Sequence, residues 1–443
     1  MPPSPDDAPT VAMPPRRAVL PIVAMFAAGY GLMLYVFYPG VMTYDARFVY
    51  EYIAKGILED WQSPLMVLLW ALIDPIAPGP GSMFLLYATL YWLALGLLAF
   101  KLARCSVWLA VVLLLLALSP PAFIFQGIIW RDILLANAWL LAGVVAFAAA
   151  NCSAKLRLAA QAIAIGLLTF GVLLRPNALI AAPILAVAIL WPMRFYWKRA
   201  VILYVPIGIA LFALVQVIYY GVLDVKRQHP LQSIMVFDLG GISHFTKENQ
   251  FPVTFTEPET ALLLNGCYKP TEWDIFWRLE PCEFVMRKVN AEKLFGTPAI
   301  TDAWLRAIAK HPLAYLEHRA AFMWNFLGRA NLTMWTADVY DPAKQVFPDR
   351  PSFNALVAIH NGLKPTPLFR VGSWLLLCVA ICGFAWRRRD TPAGTFALGV
   401  CGSAVAYVLT FFVVGVASDF RYGYWAVLAG LSGAVAALTH RSP

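Results

Sequence analysis

Long apolar runs alternate with short polar connections along most of the chain. A helix needs about 20 apolar residues to cross a hydrocarbon core of roughly 30 Å. Ten stretches read as spans: 18–38, 82–100, 106–119, 128–150, 158–174, 178–192, 200–222, 368–386, 392–416 and 422–438. Several fall short of that length. As one helix, the pair 158–174 and 178–192 would reach about 52 Å, and Arg175-Pro176-Asn177 between them is a turn sequence, so two spans are predicted there. The polar connections divide by charge. With the N-terminus inside, one set holds Arg16, Arg17, Lys101, Arg104, Lys155, Arg157, Arg194, Lys198, Arg199, Arg387, Arg388, Arg389 and Arg441, and its acidic residues are chiefly Asp6, Asp7 and Asp390. By the positive-inside rule this set faces the cytoplasm, as do both termini.

Two outer segments are long. In the first, 39–81, residues 43–60 read as an interfacial helix capped by Thr43, with Phe48, Val49, Tyr52, Ile53 and Ile57 as its apolar stripe. Residues 63–73 form a second apolar stretch that Asp74-Pro75 ends. The second outer segment, 223–367, contains an interfacial helix predicted at 302–327. The resulting division is a disordered cytoplasmic N-terminus (1–17), a transmembrane module (18–222), a large outer loop (223–367) and C-terminal transmembrane helices (368–443).

Composition agrees with a polytopic membrane protein. The chain is 60% hydrophobic and 13% charged, where a soluble domain carries about 25% charge. Its mean hydropathy is +0.67. Much of the net charge of +9 lies in the short cytoplasmic connections, so it does not signal nucleic acid. The first apolar run is long enough to span and no small-x-small cleavage site follows it, so a removed signal peptide is not expected. Cys105, Cys152, Cys378, Cys382 and Cys401 lie in or beside spans and read as small core residues. Cys267 and Cys282 share the large outer loop, where an oxidising compartment would pair them.

Acidic residues at span ends fall on the face opposite the positive loops: Asp45, Asp132 and Asp419, with Arg47, Arg131, Arg175 and Arg421 as neighbours. Charge at a membrane boundary is costly, so this grouping reads as one site. Each member has a plainer reading. Asp45 suits the first turn of a helix. Arg131 and Asp132 could neutralise each other, and Arg175 could snorkel. Glu59-Asp60 could be a solvated helix end, and His311 could lie on a solvated polar face. No P-loop, His-Glu-x-x-His motif or serine-hydrolase elbow is present.

In order along the chain, these motifs resemble the GT-C class, polytopic glycosyltransferases that include protein O-mannosyltransferases and aminoarabinose transferases. Tyr44-Asp45 matches the acidic position of the first outer loop, and Trp130-Arg131-Asp132 looks like the Lys/Arg-Asp pair. Leu174-Arg175-Pro176-Asn177 resembles the Arg-x-Asn turn, and Asp419-x-Arg421-Tyr422 the last-loop Asp-x-Arg-Tyr. Ala303-Trp304 with His311-Pro312-x-x-Tyr315-Leu316 is similar to the start of the late outer helix. Glu59-Asp60-Trp61-Gln62-Ser63-Pro64 is similar to the stretch carrying Trp-His-x-Pro, with Gln62 in place of the His.

The resemblance implies an all-α, GT-C-like bundle of about ten spans with interfacial helices in the outer loops, in a bacterial inner membrane. It implies transfer of a sugar from a polyprenyl-phosphate donor to a hydroxyl of a glycan, lipid or protein on the periplasmic side. Asp45 would be the general base. Arg131, Arg175 and Arg421 would hold the phosphate, with Asp132 and Asp419 orienting them. Asn177, Tyr422, Glu59, Asp60 and His311 complete the expected substrate contacts. The first loop lacks the Asp-Glu or Asp-x-Asp pair of metal-dependent members, so no metal ligands are assigned and a divalent metal stays an open alternative; no nucleotide is needed. A transporter or flippase of a lipid-linked sugar, or an O-antigen ligase or polymerase, are the alternatives. Transporter sites lie near the midplane, whereas polar residues here collect at one surface.

Overall fold

The computed structural model describes residues 16–329, 334, 336–338, 341 and 343–439. The N-terminal stretch expected to be disordered lies outside them up to residue 15, and so does Arg441. The described chain is all-helical, with isolated β-bridges and no named strand among the described residues. The first half comprises α1 (Arg16–Phe37), α2 (Tyr44–Lys55), α3 (Pro64–Ile73), α4 (Pro80–Ala103), α5 (Val107–Leu116), α6 (Pro120–Phe123), α7 (Arg131–Ala148), α8 (Ala154–Leu174), α9 (Ala182–Leu190) and α10 (Trp197–Gln216). The large outer segment folds into α11 (Leu231–Thr246), α12 (Glu257–Asn265), α13 (Phe284–Ala291), α14 (Pro298–Lys310), α15 (Pro312–Arg329) and α16 (Pro351–Leu363). The chain closes with α17 (Val371–Trp386), α18 (Pro392–Val414) and α19 (Tyr424–Ala437).

Each of the ten expected spans meets an apolar helix. Among the described residues, six helices are long and apolar enough to cross a membrane, or up to seven if a pair bent by 63° around residue 118 is one span. These helices mark a membrane protein. Four expected spans are shorter: α5 has 10 residues, α9 has 9, α17 has 16 and α19 has 14. At 1.5 Å per residue they reach about 14–24 Å. The expected break between α8 and α9 is present, as a 3-10 turn at Pro176–Ile180.

The bundle is built around α7, which is 83% buried over its most apolar stretch and packs against α4, α8, α18 and α19. Small residues permit the close crossings. A Cβ at Gly171 on α8 would lie 2.2 Å from the indole nitrogen of Trp139 on α7, so only glycine fits there. In contrast, α10 is 6% buried and presents Val201, Ile202, Val205 and Ile209 outward. An apolar helix with so little protein cover is suited to lipid contact.

Three local expectations are corrected. The interfacial helix α2 ends at Lys55 because Gly56 adopts a left-handed conformation (φ 63°) and closes it. Its buried face is Ala46, Val49 and Tyr52, while Phe48 is exposed. The helix expected at 302–327 is two helices, because Pro312 has no N–H and disfavours helical geometry at His311, which is the C-cap of α14. Thr43 occupies the N-cap of α2 but makes no side-chain cap. Its hydroxyl instead accepts a hydrogen bond from the Trp130 indole, at 2.9 Å. The expected pairing of Cys267 with Cys282 is present, with a Cα separation of 5.6 Å.

Candidate active site

Four chain segments converge at one end of the bundle. Asp45 lies in the first turn of α2, and Arg131 and Asp132 open α7. Arg175 is the C-cap residue of α8, and Asp419 caps the short turn that carries Arg421 and Tyr422 into α19. The first two segments are pinned together ahead of their helices. Val41 donates its N–H to Gly127 at 2.9 Å and accepts from Ile129 at 3.0 Å, and the Thr43–Trp130 bond adds a side-chain link. Tyr87 of α4 donates to the Trp130 carbonyl at 2.9 Å.

The charges form a network. Arg421 donates to Asp45 at 2.7 Å and its Nε lies 3.3 Å from Asp419. Asp419 in turn accepts the Arg421 backbone N–H at 3.0 Å. Arg175 pairs with Asp132 at 2.5 Å, with side-chain exposures of 14% and 3%. The guanidiniums of Arg175 and Arg421 lie 4.9 and 5.1 Å from the centre of the Tyr422 ring, and Arg421 also lies 4.7 Å from the Trp130 ring. The two arginines, far apart in sequence, are therefore brought to one aromatic side chain. Such stacking suits the planar guanidinium and would not be reproduced by lysine.

Arg131 differs from the other two. Among the described residues it makes no ion pair, and it donates to the Trp61 carbonyl at 3.4 Å. It lines a small, partly open pocket of about 10 Å³, together with Asp45, Ala46, Val49, Gln62, Met66, Ile129, Trp130, Asp132 and Arg421. One Asp132 oxygen is buried with no hydrogen-bond donor among the described residues. A buried acceptor left unpaired costs free energy, so a donor group entering here would be favoured.

Burial alone would raise the Asp45 carboxyl, but Arg421, Arg131 and Arg175 outweigh it and hold the group down at about 2. Asp45 keeps 42% side-chain exposure, so water still reaches it. Asp419 is shifted the other way: burial raises it, Arg421 opposes this, and the nearby Asp132 and Asp45 charges add to the rise. Three guanidiniums thus face three carboxylates, of which Asp45 is held down and Asp419 is shifted up. The formal charges balance, and Arg131, which makes no ion pair among the described residues, is the cation open to an anion.

Other expected residues lie differently. Glu59 pairs with Lys226 at 3.1 Å and accepts from Tyr52 at 2.9 Å. Asp60 accepts from Tyr220 at 2.8 Å and from the Gln228 backbone at 2.5 Å. These two carboxylates fasten the first outer loop to the chain that follows α10 and do not line the pocket. His311 lies 3.6 Å from Glu248 in the outer segment, also outside the lining. Asn177 sits half-buried in the turn after Arg175.

Sequence reasoning did not assign Gln62 or Trp130 a role. Gln62 is buried and donates to Asp45 at 3.4 Å, from the position where the resemblance places a histidine. A second network was also missed. Asp238 of α11 is fully buried and pairs with Arg319 at 2.6 Å and His318 at 3.1 Å, while accepting from Trp304 at 2.7 Å. Burial holds the His318 imidazole below its ordinary range despite Asp238. Arg319 then donates to the Gly415 carbonyl at 2.7 Å, just beyond α18. The sequence signal was the lone carboxylate inside the apolar run Leu231–Ile242.

Comparison of the chain with protein-family models, with curated proteins and with solved structures finds no match.

Proposed function

We propose that the chain is a polytopic membrane glycosyltransferase that moves a sugar from a polyprenyl-phosphate donor to an acceptor hydroxyl. The observation that carries this reading is the grouping of Asp45, Arg131 and Arg421 around one pocket, with Arg175 paired to Asp132 of its lining, at a single end of an apolar bundle. The donor's phosphate is met by guanidiniums and its tail by lipid-facing helices. In the reaction, the acceptor oxygen bonds to the sugar's anomeric carbon as the bond from that carbon to the phosphate oxygen breaks. Polyprenyl phosphate leaves, and Asp45 takes the acceptor's proton. The arginines stabilise the charge that develops on the leaving phosphate.

The resting ion pair makes the sequence of events specific. A carboxylate held near 2 by Arg421 is a weak proton acceptor. An incoming phosphate competes for Arg421, releases Asp45 and raises its basicity only when donor is present. Arg131, with no ion pair of its own, makes the first contact. The unpaired oxygen of Asp132 accepts a hydroxyl from the sugar or the acceptor. The pocket faces away from the cytoplasm, where a lipid-linked donor replaces nucleotide sugars.

The test uses proteoliposomes containing the purified protein and polyprenyl-phosphate sugars extracted from the native membrane with its acceptors. Sugar-free polyprenyl phosphate should accumulate with time. Movement of intact donor between leaflets without release of the free lipid phosphate would assign the pocket to transport instead.

A further inference from the structure

The opposite end of the bundle carries a second constructed feature. The connection between α9 and α10 and the connection between α17 and α18 meet there. Phe195 donates its backbone N–H to the Arg389 carbonyl at 2.7 Å, Arg194 pairs with Asp390 at 2.6 Å, and the rings of Trp197 and Trp386 lie 6.4 Å apart. The two connections bring together Arg194, Lys198, Arg199, Arg387, Arg388 and Arg389 against the single carboxylate of Asp390. Arg388 is occupied at the end of α19, where it donates to the carbonyls of Ala437 and Thr439 at 2.8 Å. Lys198, Arg199 and Arg387 are exposed and make no ion pair among the described residues.

Aromatic rings hold several of these cations in place. Arg199 lies 4.3 Å from the Tyr196 ring centre and 4.6 Å from that of Trp191, and Arg389 lies 5.1 Å from that of Trp386. Lys198 and Arg199 also occupy the first turn of α10, whose N-cap has no side-chain partner. Cations there oppose the helix dipole, and an anion would satisfy both the dipole and the free N–H groups. Directly beneath lies a shallow, open apolar cleft with a cavity volume of about 10 Å³, lined by Phe147, Leu185, Ile189, Pro192, Pro392 and Phe396 among others. Pro192 and Pro392 belong to the same two junctions that carry the cations.

We infer that this cleft and its basic rim form a binding site for an anionic phospholipid of the surrounding leaflet. One acyl chain lies along the apolar mouth of this cleft, outside α7, α9 and α18, and the headgroup phosphate is held by Arg194, Lys198 and Arg199 with Arg389 opposite. Positive loops at membrane boundaries arise from topology alone. Here two of them clasp over an apolar cleft, which a diffuse charge bias does not require, and basic pockets between helices suit anionic headgroups. The site is separated from the Asp45 pocket by the length of α18, about 34 Å, and does not depend on the transfer reaction.

The test is native mass spectrometry and thermal unfolding of the purified full chain in detergent with added phosphatidylglycerol or phosphatidylcholine. Phosphatidylglycerol should be retained and should raise the unfolding temperature more than phosphatidylcholine. The triple variant Arg194→Gln, Lys198→Gln, Arg199→Gln should weaken that preference on the order of 100-fold. Lys155→Gln with Arg157→Gln, on another connection at the same end, should leave it unchanged. Equal effects of the two lipids on the wild-type protein would overturn the site, whatever the variants do. An equal loss in the Lys155/Arg157 variant would reduce it to surface charge, and full stabilisation by inorganic phosphate alone would make it a free-anion site.

Discussion

At the residue scale, the informative contrast is among three arginines of one charged network. Arg175 is bound to a nearly buried carboxylate, Arg421 to a half-exposed one, and Arg131 to neither. Their substitutions should therefore differ in kind. Replacing Arg175 with alanine leaves Asp132 buried and unpaired, which typically costs about 3–5 kcal/mol, and should appear as a loss of thermal stability in detergent. Arg131→Gln should leave stability near wild type while donor affinity falls; an unchanged KM for donor would remove Arg131 from the phosphate contacts.

Asp45 has a pH signature of its own. Its folded value lies below the ordinary carboxylate value of 3.8, so the ionised form contributes stability at neutral pH. That contribution is lost as pH falls from about 3.8 to about 2. Acid unfolding of wild type should be steeper through this window than that of Asp45→Asn, with the difference kept modest by solvent screening. Matching slopes would mean that Arg421 does not hold Asp45. Asp45 and the arginines were legible in sequence because charge at span ends is costly and rare. Gln62 and Asp238 were not, because their significance depends on partners remote in sequence or on burial.

At the element scale, the outer segment braces the pocket. Trp273 donates its N–H to Val416 at 2.8 Å and Ser418 donates to Thr271 at 2.7 Å, so residues 271–273 run beside 416–418, immediately before Asp419 and Arg421. The Trp61 and Trp273 rings, 5.9 Å apart, add a link to the first outer loop. The segment 271–273 lies within the loop closed by Cys267 and Cys282. Closing a loop of about 15 residues contributes roughly 3 kcal/mol in the chain-entropy model. The double variant Cys267→Ala, Cys282→Ala should fold with lower stability, and its kcat should fall because Arg421 is less firmly placed. Stability lost with kcat unchanged would limit the disulfide to the outer segment. Element type was legible from periodicity and from proline. Boundaries were less so: the stop at Gly56 and the break at Pro312 are single-residue effects that a continuing apolar stripe conceals.

At the scale of the whole molecule, the charge bias and the packing agree on two distinct ends. The connections rich in Lys and Arg lie at the end of α18 away from Asp419, and the acidic span ends lie at the other. Reporter fusions after Lys101, Lys155, Arg199 and Arg389 should read cytoplasmic, and fusions within 230–300 should read outside. A cytoplasmic signal from 230–300 would put the pocket on the wrong side for a lipid-linked donor. The bundle itself was legible as a set of apolar runs, but its span count was not, because short helices such as α5 and α9 bury against neighbours and their length alone does not decide whether they cross. Transfer of a sugar at the Asp45 pocket is tested most directly by mass spectrometry of cell-envelope glycans and lipids from cells carrying the wild-type protein, the Asp45→Asn variant or neither. One glycan, lipid or protein species heavier by a single sugar residue should be present with wild type and reduced by about 10²–10⁴-fold with Asp45→Asn, at equal protein levels. Envelopes with the same profile in all three strains, or a product retained with Asp45→Asn, would refute the assignment.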